Sequence, residues 1–193
     1  MVINFESSER DEDYQEPAIL YITGGSSSSN NDFQNLLDWR KERGYTVYTA
    51  SLTETGSSTT SIKNYIQNAY NTFDPPPEYV ALVGDVDGSY TVPTYYNGWG
   101  HNSYGNECEG DHPYSQLDGS DLIPEVFVGR MSIRTSSELS TVSNKIINYE
   151  KATYLDYYPD YYKKAAMAGD PSSSGNSCAI TKEVIKGMLE AHG

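Results

Sequence analysis

The chain has 193 residues, of which 37% are hydrophobic, and its net charge is −14. It can therefore form a packed core, but it lacks the basic stripe that nucleic acid or an anionic membrane surface would require. No stretch approaches the roughly 20 apolar residues of a membrane span. Residues 1–16 are polar and acidic, without the pattern of a signal peptide, and are predicted to be a flexible lead.

Patterns along the chain predict alternating strands and helices. Runs rich in β-branched and aromatic residues predict five strands, at residues 18–23, 45–50, 79–83, 125–128 and 164–168. Apolar residues at helical spacing predict four helices, opening near Asp32, at Ser61, at the capping box of residues 135–138, and over residues 179–191. This order predicts an α/β fold with a mostly parallel sheet and helices on both faces.

Three loops follow predicted strands at the edge where such sheets bind ligands, namely residues 24–31, 84–87 and 170–177. Gly24 and Gly25 could approach a phosphate, but the run lacks both the GxGxxG spacing and a P-loop lysine. A nucleotide-binding α/β domain is therefore an alternative with little support from the sequence.

The segment GDVDGS, residues 84–89, has the DxDG spacing that opens a calcium loop. The twelve-position EF-hand pattern would need Glu at position 96, where Tyr96 stands, so an EF-hand is excluded. Two interpretations remain. One is a tight turn with Asx hydrogen bonds, and the other is a looser calcium site in which Asp85 and Asp87 are joined by Asp118 or Asp121.

Two cysteines, Cys108 and Cys178, are either independent thiols or one disulfide, and no spacing suggests a zinc site. Arg130, just after the predicted fourth strand, is expected to pair with a nearby carboxylate. His192 ends the last predicted helix, where it interacts favourably with the helix dipole, so it is not assigned as a catalytic base.

Asp170 stands at the end of the predicted fifth strand, directly before a proline. Either it initiates an Asp-Pro turn, or it is a carboxylate that accepts a hydrogen bond from a catalytic histidine and orients the ring. The residues alone do not separate these two roles.

Three segments in order resemble the gingipain family of cysteine peptidases: VALVGDVDG (80–88), YSQLDGSDLIPEVFVGRMSI (114–133) and SELSTVSNKIINYEKAT (137–153). The similarity extends over residues 17–193 and implies a caspase-like catalytic domain of two side-by-side subdomains. Residues 17–163 would form the first subdomain, and residues 164–193 would open the second, which is truncated here. The acidic composition fits an extracellular or cell-surface protein.

The resemblance also implies a mechanism in which a Cys thiolate attacks the peptide carbonyl and a His protonates the leaving amine. The segment Met167–Asp170 matches the family's acidic position, so Asp170 would orient that histidine. Cys178 falls near a substrate-pocket position that is acidic in arginine-directed members, and a thiol cannot pair with a guanidinium as a carboxylate does.

The catalytic His and Cys are expected beyond Gly193, so the 193-residue chain is predicted to be an inactive part of a cysteine endopeptidase. Its substrates would be proteins or peptides, with no required cofactor. The alternative from another functional class is a non-catalytic module that uses the same fold for adhesion or docking. A strand ending in His-Gly and a later strand ending in Cys, further along the natural protein, would separate the two.

Overall fold

A computed structural model describes residues 17–96, 109–119, 121–168 and 177–192. These residues belong to two compact units, one up to Ile147 and the other from Asn148 onward. The predicted boundary between subdomains at residues 163–164 stays a prediction.

The first unit is built on a four-stranded parallel sheet. In chain order its strands are β1 (Ala18–Thr23), β2 (Thr46–Ser51), β3 (Tyr79–Val83) and β4 (Phe127–Met131), and their spatial order is β2-β1-β3-β4. Every residue of β1 is buried, because it has a strand on each side and helices above and below. The predicted α/β fold with a parallel sheet is confirmed.

Helices cover both faces of this sheet. In chain order they are α1 (Asn31–Glu42), α2 (Leu52–Thr55), α3 (Thr59–Thr72) and α4 (Ser136–Glu150). Alternate residues of β1 pack into two different hydrophobic cores, because successive side chains along a strand point to opposite faces of the sheet. Leu20 and Ile22 pack in the core that α3 covers, and Ile19 and Tyr21 pack in the core that α1 and α4 cover.

The start of α1 differs from the prediction that Asp32 opens this helix. Asn30 is the N-cap, because its Oδ1 accepts a hydrogen bond from the Phe33 amide at 2.9 Å. Its Nδ2 donates to the hydroxyls of Ser136 and Ser140, at 2.8 and 3.1 Å, and so joins the first turns of α1 and α4. Consecutive Asn, Asn and Asp residues all suit a cap, and only this tertiary contact selects Asn30.

Strand β4 begins two residues later than predicted and includes Arg130. Glu125 is held in the preceding loop, where its Oε2 accepts hydrogen bonds from the amides of Leu117 and Asp118 at 2.6 and 3.2 Å. The ladder with β3 begins only where the Phe127 amide donates to the Glu78 carbonyl at 2.8 Å.

The second unit contains two short 3₁₀ turns (Thr153–Asp156 and Tyr161–Lys163) and α5 (Ser177–His192). Residues 164–168, predicted as a strand, have no regular structure and are exposed. A strand requires a hydrogen-bonded neighbour, and no segment of the described ranges pairs with this one. Within those ranges, no helix is long and apolar enough to cross a membrane.

Candidate functional site

The strand order reverses between β1 and β3, and ligands of open α/β sheets bind at the carboxyl end of such a switch point. Here the protein's own backbone fills that crevice. A Cβ atom on Gly24 would lie 2.6 Å from the Tyr90 carbonyl oxygen, and one on Gly84 would collide with the same oxygen. Both glycines thus permit close approach of the loop after β3. The structure gives no support to a phosphate cradle at Gly24.

Arg130 fastens this loop to β4. Its Nε and Nη2 donate to the two carboxylate oxygens of Asp111, both at 2.7 Å. Its remaining hydrogens go to the carbonyls of Gly84 (2.9 Å), Val92 (2.7 Å) and Pro93 (3.1 Å). All five guanidinium donors are thereby used, and the side chain is only 10% exposed. The predicted pairing of Arg130 with a carboxylate is confirmed.

Further contacts close the same region. Thr94 Oγ1 donates to Asp111 Oδ1 at 2.9 Å, and the Tyr114 hydroxyl donates to the Pro93 carbonyl at 2.7 Å. Tyr95 and Gly110 form an antiparallel bridge. The backbone on either side of residues 97–108 is therefore anchored beside Arg130. Burial raises the pKa of the Tyr114 hydroxyl, which stays protonated at neutral pH.

A second arginine binds the two carboxylates of the GDVDGS turn. Arg134 Nε lies 2.6 Å from Asp85 Oδ2 and 2.7 Å from Asp87 Oδ1. The hydrogen bond from Arg134, aided by one from the Val86 amide, lowers the pKa of Asp85. Two carboxylates likewise raise the pKa of Arg134. The sequence prediction missed Arg134. The only signal in the sequence was that a basic residue stands shortly after β4.

Stability should depend on the ionisation of Asp85. A carboxyl group whose pKa is lower in the folded state stabilises the fold above its unfolded value, about 3.9 for Asp, and this contribution disappears as pH falls through the folded value. We expect Asp85→Asn to be less stable than wild type at pH 7, with the difference shrinking below about pH 4. Urea unfolding of both proteins across this pH range measures the difference in stability. A difference that is as large below pH 4 as at pH 7 would contradict the stabilising role of ionised Asp85.

The predicted calcium ligands occupy two places. Asp85 and Asp87 meet at Arg134, whereas Asp118 Oδ1 accepts from the Gly119 amide and Asp121 Oδ1 from the Ile123 amide, each at 2.8 Å. Within residues 17–96, 109–119, 121–168 and 177–192, no three carboxylate, His or Cys side chains gather as metal ligands. Calcium binding stays a prediction of the sequence.

The turn interpretation predicts that calcium leaves the melting temperature unchanged, because the Arg134 guanidinium already pairs with both Asp85 and Asp87. Thermal unfolding with about 1 mM Ca²⁺, a concentration that fills extracellular calcium modules, and then with EDTA measures this. A calcium-dependent rise that Asp87→Asn abolishes would instead support the calcium interpretation.

Asp170, the residue predicted for catalysis, falls outside the described residues, and so does Cys108. Cys178 is exposed at the second position of α5. His192 Nδ1 is 2.8 Å from the Met188 carbonyl in the last turn of α5, which is the helix-terminal position that the sequence predicted. The predicted site residues within the described part of the chain therefore do not bring a nucleophile and a base together.

A family model described as peptidase family C25 matches residues 12–192. The chain belongs to this family. It is 29% identical over 178 residues to Lys-gingipain of Porphyromonas gingivalis, covering 90% of this chain and 10% of that protein. It is 26% identical over 167 residues to gingipain R2 of the same organism, covering 84% of this chain and 21% of the relative. The present chain thus spans only a small part of the length of the curated relatives that it matches.

The fold also matches a solved family structure. A crystal structure of the Arg-specific cysteine proteinase gingipain R superposes with a TM-score of 0.62 at 22% identity. The match covers 95% of this chain and 40% of that one. The resemblance seen in the sequence, to gingipain-like cysteine peptidases with an α/β fold, is confirmed.

Proposed function

We propose that this C25 chain is the front part of the catalytic domain of an extracellular or cell-surface cysteine endopeptidase that cleaves proteins or peptides. The observation that carries the proposal is the family match over residues 12–192, together with a sheet that superposes on gingipain R. The gathering of glycines and arginine-bound carboxylates at the carboxyl edge of the sheet fits a rigid support for such a site.

In this proposal the chain supplies support for the chemistry, and the reacting dyad lies further along the natural protein. Asp170 accepts a hydrogen bond from the catalytic histidine, which holds the ring in place and stabilises its protonated form. A cysteine thiolate attacks the peptide carbonyl carbon, the histidine passes its proton to the leaving amine, and water releases the acyl group. Cys178 lies beside the substrate pocket, where a thiol disfavours an arginine side chain.

The test compares the 193-residue chain with the natural longer protein on unfolded casein. We expect no cleavage by the chain alone, and cleavage by the longer protein that iodoacetamide abolishes, because alkylation removes the thiolate nucleophile. Catalytic cleavage by the pure chain would refute the placement of the dyad. A longer protein that folds yet neither cleaves casein nor contains the His and Cys strands would favour a non-catalytic docking module.

A further inference from the structure

The second unit contains a dense group of tyrosines. Six of them stand within residues 149–162, and all but Tyr154 are exposed. Directly after α4, Ala152 adopts a left-handed backbone conformation with a φ of 55°, which reverses the chain. Tyr154 therefore folds back onto Tyr149, and the two rings stack nearly parallel with their centroids 5.6 Å apart.

Tyr154 lies at the centre of this group. Its ring also contacts Tyr161 and Tyr162, at centroid distances of 4.8 and 6.2 Å. The hydroxyls of Tyr154 and Tyr162 share a hydrogen bond, which raises the pKa of Tyr154 and keeps it protonated at neutral pH. Because the ortho carbons of a phenol flank the carbon that bears the hydroxyl, the ortho carbons of these two rings are brought close together as well.

Local backbone hydrogen bonds hold this pair in place. Tyr154 and Tyr162 belong to the two 3₁₀ turns of the second unit. The Tyr158 amide donates to the Tyr154 carbonyl at 2.8 Å, and the Tyr161 amide donates to the Tyr158 carbonyl at 3.0 Å, so the turns are linked. Pro159 restricts the backbone between them. The contact between the two hydroxyls thus arises within one short segment.

We propose that Tyr154 and Tyr162 form a site of oxidative modification, at which hydrogen peroxide activated by a haem peroxidase couples the two side chains into dityrosine. Each phenol loses one electron and one proton, and the two phenoxyl radicals join through an ortho carbon of each ring. The hydrogens on the newly bonded carbons then move to the oxygens, which restores both phenols. Peroxide takes up the two electrons and two protons and becomes two molecules of water.

Exposure and contact together favour this pair over other tyrosines. Tyr162 is 66% exposed, so an oxidant reaches it, and its hydroxyl already contacts its coupling partner. Tyr157 is 82% exposed, but no aromatic ring of the described residues packs against it. Tyr114 packs against Tyr95, but it is fully buried and its hydroxyl donates to a backbone carbonyl.

The cross-link would stabilise an exposed segment. Neither of the two 3₁₀ turns contains a buried residue, so hydrogen bonds and the contacts between tyrosine rings hold them. A covalent bond between residues 154 and 162 limits the freedom of the unfolded segment, as a disulfide does, and so favours the folded turns.

The experiment treats the 193-residue chain with hydrogen peroxide and a haem peroxidase, at a dilution where encounters between chains are rare. Trypsin then releases residues 152–163, a peptide that contains both tyrosines. We expect dityrosine fluorescence and a peptide lighter by two hydrogen atoms, with fragment ions that place the new bond between Tyr154 and Tyr162. A bond from Tyr149 to Tyr154 would instead join this peptide to residues 146–151, and it would overturn the proposed pairing.

Three variants separate coupling of this pair from general oxidation of tyrosines. Tyr154→Phe and Tyr162→Phe each keep the ring but cannot form a phenoxyl radical, and each should lower the dityrosine yield about tenfold or more, because the contact makes coupling a step within one molecule. The matched control Tyr157→Phe removes the most exposed tyrosine of the group and should leave the yield unchanged. Circular dichroism verifies that each variant is folded. The proposal is overturned by a yield that Tyr162→Phe leaves intact, by an equal loss in Tyr157→Phe, or by coupling mainly between chains.

Discussion

Replacing Arg130 with alanine should destabilise the first unit by about 3–5 kcal/mol, the usual cost of removing one partner of a buried ion pair. The variant leaves the Asp111 carboxylate without its bidentate partner, and the carbonyls of Gly84, Val92 and Pro93 lose their donors. Urea unfolding followed by circular dichroism measures the loss as a lower midpoint at an unchanged slope.

The matched control is Arg134→Ala, which removes the same side chain from an exposed ion pair four residues away. Water screens exposed pairs, so Arg134→Ala should lower the unfolding midpoint only slightly, in line with the modest effect expected for Asp85→Asn and far less than Arg130→Ala does. Arg130→Lys keeps the charge without the planar fork and should lie between the two. Equal midpoints for Arg130→Ala and Arg134→Ala would show that the Arg130 contacts do not hold the loop. If Arg130→Ala fails to fold, Arg130→Lys still provides the comparison.

The central strands of the fold could be predicted from the sequence to the residue. AILYIT and YVALV are short apolar runs with polar or proline-rich boundaries, and the structure places β1 and β3 at Ala18–Thr23 and Tyr79–Val83. Such strands are specified locally, because burial on both faces demands an uninterrupted apolar run. Their identity does not depend on distant partners.

Strand β4 and residues 164–168 depend on such partners, and there the local pattern failed. The hydrogen bonds of Glu125 to Leu117 and Asp118 shift the start of β4, and nothing in the run EVFV reveals them. Residues 164–168 have the composition of a strand but no neighbour within the described ranges. Pattern alone predicts what a segment can form, and pairing decides whether it forms.

The contacts of the candidate site could likewise be predicted only in part, because most of their partners are distant in the sequence. An ion pair for Arg130 was predictable, because a buried guanidinium needs a carboxylate. Its partner Asp111 is 19 residues away, and its carbonyl acceptors at Val92 and Pro93 are 38 and 37 residues away, so only the folded chain identifies them. Similarly, the DxDG spacing suggested a cation, and the structure places the guanidinium of Arg134 there.

Asp170 is either the first residue of an Asp-Pro turn or the carboxylate that orients the catalytic histidine. If it has the second role, its substitution should have the largest functional effect that we expect. In the natural longer protein, Asp170→Asn should lower kcat by up to about 10⁴-fold, the loss produced when the orienting carboxylate of a catalytic triad becomes an amide. The amide cannot stabilise the protonated histidine, and it favours the wrong tautomer of the ring. KM should change little, because Asp170 does not contact the substrate in this scheme.

The comparison for Asp170→Asn is Asp160→Asn, which removes an exposed carboxylate that pairs with Lys163 one helical turn away. Steady-state peptide cleavage and thermal unfolding are measured for both variants. A fall in kcat for Asp170→Asn alone, at an unchanged melting temperature, supports the orienting role, because a purely structural Asp-Pro turn would lower stability without a selective effect on kcat. Unchanged turnover would assign Asp170 to the turn and remove it from the catalytic scheme, whether or not the rest of the peptidase proposal stands.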